Sequence, residues 1–206
     1  MRGDGGTRAR EPRTVVLVEG ESDRLALEAL ASRLGLEPGR AGVRVTSIDG
    51  ITNLRRHLEA LDGREAPPRV LGLFDAEQAH VVERMLAASG RVVDAHGGLE
   101  AAGFHACTAD LEDELIRAAG TEAVETVIAA HGDLARFRSF QQQPHQRGRS
   151  LSAQLRRFAG TASGRKSWFA ADVIASMPAD RLPRSMVRLL EAAIADAPAV
   201  GGPTSA

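Results

Sequence analysis

Apolar and polar residues alternate along the first half of the chain in a strand-then-helix rhythm. Thr14–Val18 is a short, β-branched apolar run that reads as a strand ending at Glu19-Gly20. Ser22 can cap a helix to about Leu34, with Leu25, Leu27, Ala29, Leu30 and Leu34 at its apolar positions. Residues 43–48 read as a second strand, and Thr52 can cap a helix through Leu61 that buries Leu54, Leu58 and Leu61. Pro67-Pro68 turns the chain into a third strand over 69–74, followed by a helix over about 77–88 that Gly90 ends. A short fourth strand over 103–107 precedes a helix over 110–119 that Gly120 ends. Strands separated by single helices imply parallel pairing, because each crossover needs a helix to return the chain.

After Gly120 the rhythm changes. Residues 121–131, 134–142, 151–158, 167–176 and 183–195 all read as helices, with no convincing strand between them. The expected organisation is therefore a leader over 1–13, an α/β domain over 14–119, an all-helical extension over 120–195 and a tail over 196–206, with leader and tail disordered. The polar stretch Gln141–Arg149 is the expected flexible loop. No repeat of 20–50 residues interrupts this scheme.

Composition narrows the chemistry. Aromatics make up 3% with no Tyr and one Trp, so the core must be aliphatic and base-stacking platforms are not expected. The single cysteine, Cys107, excludes an intrachain disulfide and a cysteine-based zinc site, and reads as a small core residue. The six histidines are scattered without metal-ligand spacing, although His105 belongs to the fourth strand. The N-terminus carries no apolar signal segment and no run approaches the ~20 residues of a membrane span, so the expected location is the cytoplasm. Net charge is −1 but unevenly spread: residues 1–133 carry a net −8, whereas 134–166 hold seven Arg and one Lys with no acid. An acidic half that can hold cations, followed by a basic segment, suits a partner that is itself a polyanion. Arg136, Arg138, Arg147, Arg149, Arg156 and Arg157 are the expected contacts to a nucleic-acid backbone.

The acids fall at strand ends. Glu19 closes the first strand and Asp23 lies four residues on, which lets both carboxylates face one point. Asp75 and Glu77 close the third strand, and Asp110 and Glu112 follow the fourth. In a parallel sheet these ends share one edge, where open α/β folds bind ligands. Acids at helix N-termini also complement the helix dipole without further function. Three such clusters at one edge instead predict a divalent cation, Mg²⁺ or Mn²⁺, and with it phosphate chemistry.

These residues resemble a family. Val18-Glu19-Gly20 with Asp23, followed about 50 residues later by an apolar strand ending in an acid pair, looks like the Toprim domain over residues 14–119. The stretches Leu17-Val-Glu-Gly-Glu-Ser-Asp23 and Ala109-Asp-Leu-Glu-Asp-Glu-Leu115 are most similar to the Toprim of overcoming-lysogenization-defect (OLD) nucleases. The resemblance implies a parallel four-stranded sheet flanked by helices and two bound metal ions. It implies metal binding by Glu19 and Asp23, by Asp75 and Glu77, and by Asp110 and Glu112, with Glu19 as general base or bridging ligand. One departure stands out: the second acid of the third-strand pair is a glutamate, Glu77, whose extra methylene displaces its carboxylate. The resemblance also implies a lysine beyond the Toprim core that stabilises charge on the phosphate. Among 26 basic residues only Lys166 is a lysine, and it occupies the corresponding place.

Gly160-Thr-Ala-Ser-Gly-Arg-Lys166-Ser167 superficially looks like a Walker A loop, but Arg165 separates glycine from lysine and a helix rather than a strand precedes it. OLD nucleases carry an ATPase domain, so the resemblance implies a separate ATPase subunit as a partner. The expected function is a metal-dependent endonuclease acting on nucleic acid, DNA in the first instance. The alternatives are a non-catalytic Toprim module that binds DNA or an ATPase, and a nucleotidyl transferase. DNA against RNA, strandedness and oligomeric state are left open by the sequence.

Overall fold

The computed structural model describes residues 11–93 and 97–195, so most of the expected leader and all of the expected tail lie outside the described residues. Arg13, assigned to the leader by composition, already belongs to the fold: its backbone N–H donates to Gly42 at 2.8 Å and its carbonyl accepts from Arg69 N–H at 2.8 Å.

The elements follow the expected order. β1 (Thr14–Val18), α1 (Glu21–Arg33), β2 (Val43–Ser47), α2 (Leu54–Asp62), β3 (Arg69–Asp75), α3 (Ala79–Ala88), a single-turn α4 (Gly98–Ala101), β4 (Phe104–Cys107) and α5 (Leu111–Ala119) build the first half. The four strands form one parallel sheet in the order β2-β1-β3-β4. The chain thus reverses its winding between β1 and β3, and the crevice beyond their carboxyl ends is the natural ligand position.

Alternation along β1 assigns the two faces. Val15 and Leu17 join Leu54, Leu58, Leu61, Val82 and Leu86 in a core under α2 and α3. Val16 and Val18 face the other way, toward α1 and the helices that follow Gly120. Those helices are α6 (Thr121–Ala130), α7 (Leu134–Gln141), α8 (Leu151–Ala159), α9 (Ser163–Ser176) and α10 (Arg184–Ile194). They share one continuous apolar core with the sheet, α9 packing chiefly on α1 and α10 on β3 and β4.

Three local expectations are corrected. Ser22 does not cap α1: the helix starts at Glu21, and Asp23 instead accepts the Gly20 N–H at 2.7 Å. The buried stripe of α1 is accordingly Ala26, Leu27, Ala31 and Leu30, whose small members admit α9, while Leu34 is exposed. Thr52 sits in a 3-10 turn rather than at a cap, because Asn53 Nδ2 donates to the carbonyls of Ile48 and Asp49, both at 2.9 Å, and delays α2 to Leu54. Finally, the Gln141–Arg149 stretch is not a free loop. Gln146 is buried, its carbonyl accepts from Gln154 Nε2 at 2.8 Å, and Gln141 Nε2 donates to Gln154 Oε1 at 2.7 Å.

Candidate metal centre and basic groove

Four of the expected acids surround one cavity of about 150 Å³ at the β1/β3 edge: Glu19, Asp23, Asp75 and Glu112. Glu19 is placed by two backbone bonds from the segment after β2, since Val18 O accepts from Ile48 N–H and Glu19 O from Gly50 N–H, each at 2.9 Å. Asp75 is the last residue of β3 and lies beside Cys107, its register partner on β4. Glu112 arrives on the first turn of α5, whose start is fixed by Asp110: Oδ1 accepts the Asp113 N–H at 2.8 Å.

The acids disturb one another. Burial, then the charges of Glu19, Asp23, Asp110 and Glu112, push the Asp75 carboxyl up to about 7. Burial also raises Asp23 to about 6, with help from Glu112 and Glu19 and against the bond from Gly20 N–H. Glu112 is raised by burial and by Asp110, with Lys166 and Arg156 pulling the other way. Cys107 lines the same cavity, but burial and the surrounding carboxylates push its thiol up, so it is a protonated wall rather than a nucleophile.

The donor set fits a hard divalent cation. All four groups offer carboxylate oxygen, and Glu19 Oε2 is buried with no hydrogen-bond partner. Among the described residues no three His, Cys, Asp or Glu side chains stand close enough together to hold a metal ion as they are placed, so binding requires these side chains to converge.

The two remaining acids stand apart. Glu77 lies exposed on the 3-10 turn after β3 and does not line the cavity. Asp110 borders an adjoining groove of about 1140 Å³, where its Oδ2 accepts from Arg156 Nε at 2.6 Å.

That groove shares Glu112 and Lys166 with the acid cavity. Its walls carry Arg136, Arg149, Arg156 and Arg157. Arg138 and Arg147, expected beside them, point elsewhere: Arg138 makes a bidentate pair with Glu125 at 2.7 and 3.0 Å, and Arg147 donates to the Gln142 carbonyl at 2.8 Å. Lys166 stands at the junction, in the first turn of α9. The Gly160–Ser167 segment connects α8 to α9 with no strand before it, so it is not a phosphate-binding loop of the Walker type.

Several participants were not anticipated from sequence. Arg165, next to Lys166, is buried against Asp133. Its signal was its place on the α9 stripe four residues before Phe169 and eight before Val173, both buried. Glu114 is buried too, accepting from Thr108 N–H at 2.7 Å and Ser185 Oγ at 2.8 Å. Helical period places it beside Leu111 and Leu115 on the core face, so the acidic run divides into a cap, a site residue and a buried tether. His105 does not join the acids; it is buried near Glu100, and burial lowers its pKa.

Comparison with known proteins agrees with the fold. Residues 13–76 match the family described as "Overcoming lysogenization defect protein-like, TOPRIM domain". The likeness is to OLD-type Toprim domains. The C-terminal region of the Burkholderia pseudomallei OLD protein superposes with a TM-score of 0.63 at 20% identity, over 88% of this chain and 96% of that one. The C-terminal region of the Xanthomonas campestris pv. campestris OLD protein gives a TM-score of 0.61 at 25% identity, over 89% and 97%. The parallel four-stranded sheet with its mostly helical second half is therefore the OLD C-terminal fold. No curated protein matches the sequence. Toprim domains generally bind divalent metals, in keeping with the oxygen donors at the β1/β3 edge. Among the described residues no helix is long and apolar enough to cross a membrane.

Proposed function

We propose that this protein is a divalent-metal-dependent nuclease acting on nucleic-acid phosphodiester bonds. The observation that carries the reading is the adjacency of the two spaces: the carboxylate cavity and the arginine-lined groove share Glu112 and Lys166 in their walls. Glu19, Asp23, Asp75 and Glu112 would hold Mg²⁺ or Mn²⁺, with Asp110 and Glu77 at the margin. When bound, such ions supply an activated water and neutralise charge on the scissile phosphate.

The chain's own residues do the rest. Arg136, Arg149 and Arg157 hold the phosphate backbone in register without reading bases. Phe140 and Phe158 line the groove but are buried, so stacking contributes little. Lys166 brings a compact ammonium to the phosphate at the mouth of the acid cavity, and Glu19 offers its unpartnered oxygen for a proton or a metal.

The test is nicking of supercoiled plasmid DNA in Mg²⁺ or Mn²⁺, with single-stranded DNA and RNA as parallel substrates. Glu19→Gln should abolish cleavage while leaving the fold intact. Undiminished nicking by the purified variant overturns the assignment.

A second reading has its own observation. Asp110 is engaged by Arg156 and Glu77 stands outside the cavity, which leaves a smaller ligand set than the sequence implies. Such a site could serve a non-catalytic module that binds nucleic acid, or an ATPase acting in trans. Metal and nucleic-acid binding without cleavage of any of the three substrates would decide for the module.

A further inference from the structure

Arg156 faces two demands at once. It lines the groove that we assign to the phosphate backbone, yet its guanidinium is spent on Asp110 through Nε and Nη2. Asp110 is equally divided: Oδ1 caps α5, and Oδ2 is the oxygen that Arg156 occupies. The pair links residues 46 apart in sequence and lines the groove, whose wall also holds Glu112 of the acid cavity, with Asp113 and Glu77 also in the field of Arg156. The neighbouring Arg157 lines the same groove and has no carboxylate partner among the described residues.

A divalent cation entering beside Glu112 would compete with Arg156 for the lone pairs of Asp110, and a guanidinium displaced from Asp110 has the groove in front of it. We propose that Arg156 is a positioning residue that exchanges Asp110 for a phosphate of the bound strand when a divalent cation engages Asp110. Metal loading and backbone capture then reinforce one another through a single side chain. This rests on the reading of the acid cavity as a metal site. The coupling is reciprocal by thermodynamic necessity: what metal does for nucleic-acid affinity, nucleic acid does for metal affinity.

The experiment measures Mn²⁺ binding to the full chain by calorimetry without nucleic acid, for wild type, Arg156→Gln and Arg157→Gln. Removing the competing cation should tighten Mn²⁺ binding about fivefold in Arg156→Gln, the scale of a partly exposed ion pair. Arg157→Gln should stay within about twofold of wild type, since it loses the same charge from the same helix without an exchange partner. Equal tightening in both variants, or none in Arg156→Gln, overturns the exchange. Absence of Mn²⁺ binding to wild type instead removes the metal site and the exchange with it. A second readout is binding of a short labelled DNA duplex with and without Ca²⁺, used as a non-cleaving ion. The gain in affinity on adding Ca²⁺ should shrink in Arg156→Gln and persist in Arg157→Gln. An undiminished gain in Arg156→Gln counts against the proposal.

Discussion

Asp133 and Arg165 meet in a buried ion pair, with Nε 2.9 Å and Nη2 2.8 Å from Oδ2. Arg165 uses its remaining nitrogen as well: Nη1 donates to the Phe158 carbonyl at 2.8 Å and to Thr161 Oγ1 at 2.6 Å. Its guanidinium carbon lies 3.6 Å from the centroid of the Phe158 ring. One side chain therefore ties the starts of α7 and α9 to the end of α8, and the next residue along is Lys166. Burial alone would raise the Asp133 carboxyl, but the bonds from Arg165 and Arg136 outweigh it and hold it below its ordinary value.

Removing Asp133 leaves the buried Arg165 without its carboxylate, and removing Arg165 leaves Asp133 with only the exposed Arg136. Asp133→Ala or Arg165→Leu should each cost about 3–5 kcal/mol in urea unfolding. Arg136→Ala, which removes the exposed partner of Asp133, should cost under about 1 kcal/mol. Comparable losses in all three variants would mean that the buried pair is not what secures this corner.

The raised carboxyls of Asp75 and Asp23 make stability depend on pH in a definite direction. Their folded values, about 7 and about 6, lie above the ordinary 3.8, so the folded state binds their protons more tightly than the unfolded state does. That contribution is fully present below about pH 4 and is lost as pH rises through 6 and 7. Metal-free protein should therefore lose part of its Tm between pH 5 and 8, and Asp75→Asn should flatten the decline. Mg²⁺ should raise Tm at pH 8 and do little at pH 5, where protons hold the same oxygens. A decline unchanged in Asp75→Asn would show that other groups set the pH dependence.

The strand-end acids were legible because a parallel sheet converts a one-dimensional pattern into a place: any residue that closes β1 or β3 must stand at one edge. Glu19 and Asp75 needed no knowledge of packing. Glu77 shows the limit of that logic, because two residues beyond β3 the chain has turned into a 3-10 helix and carries the side chain outward. The groove was legible only as a charge excess. Which arginines line it depends on helix orientation, so Arg138 turns to Glu125 while Arg157, on another helix, faces the groove. Pairs such as Asp110 with Arg156, or Asp133 with Arg165, join helices distant in sequence and leave no periodic trace for either partner's identity.

Gly72 gives a packing prediction within the sheet itself. It pairs with Phe104 across β3 and β4, and a Cβ there would lie 2.5 Å from Cδ1 and 2.7 Å from Cε1 of that ring. The ring cannot swing freely, because it packs in the core under α2 and α3 with Val82 and Leu86. Gly72→Ala should therefore destabilise by about 1–3 kcal/mol, despite the better strand propensity of alanine, with an unchanged m-value in urea. Gly72→Ala combined with Phe104→Leu should recover part of the loss, since the shorter side chain vacates the position of the clash. Failure of the second substitution to restore anything would place the strain elsewhere.

The groove is distinguished from the rest of the basic surface by salt. A nucleic-acid complex loses affinity with rising salt in proportion to the phosphates neutralised, with a slope of about −0.9 per contact on duplex DNA. Arg157 lines the groove without a carboxylate partner among the described residues, so Arg157→Ala should weaken binding and reduce the slope by about one. Arg138 carries the same formal charge but is held by both oxygens of Glu125 away from the groove. Arg138→Ala should leave slope and affinity near wild type. Fluorescence anisotropy of a labelled duplex across a salt series separates the two cases. Equal losses from both substitutions would assign binding to diffuse net charge, and the 1140 Å³ groove would lose its claim to the backbone.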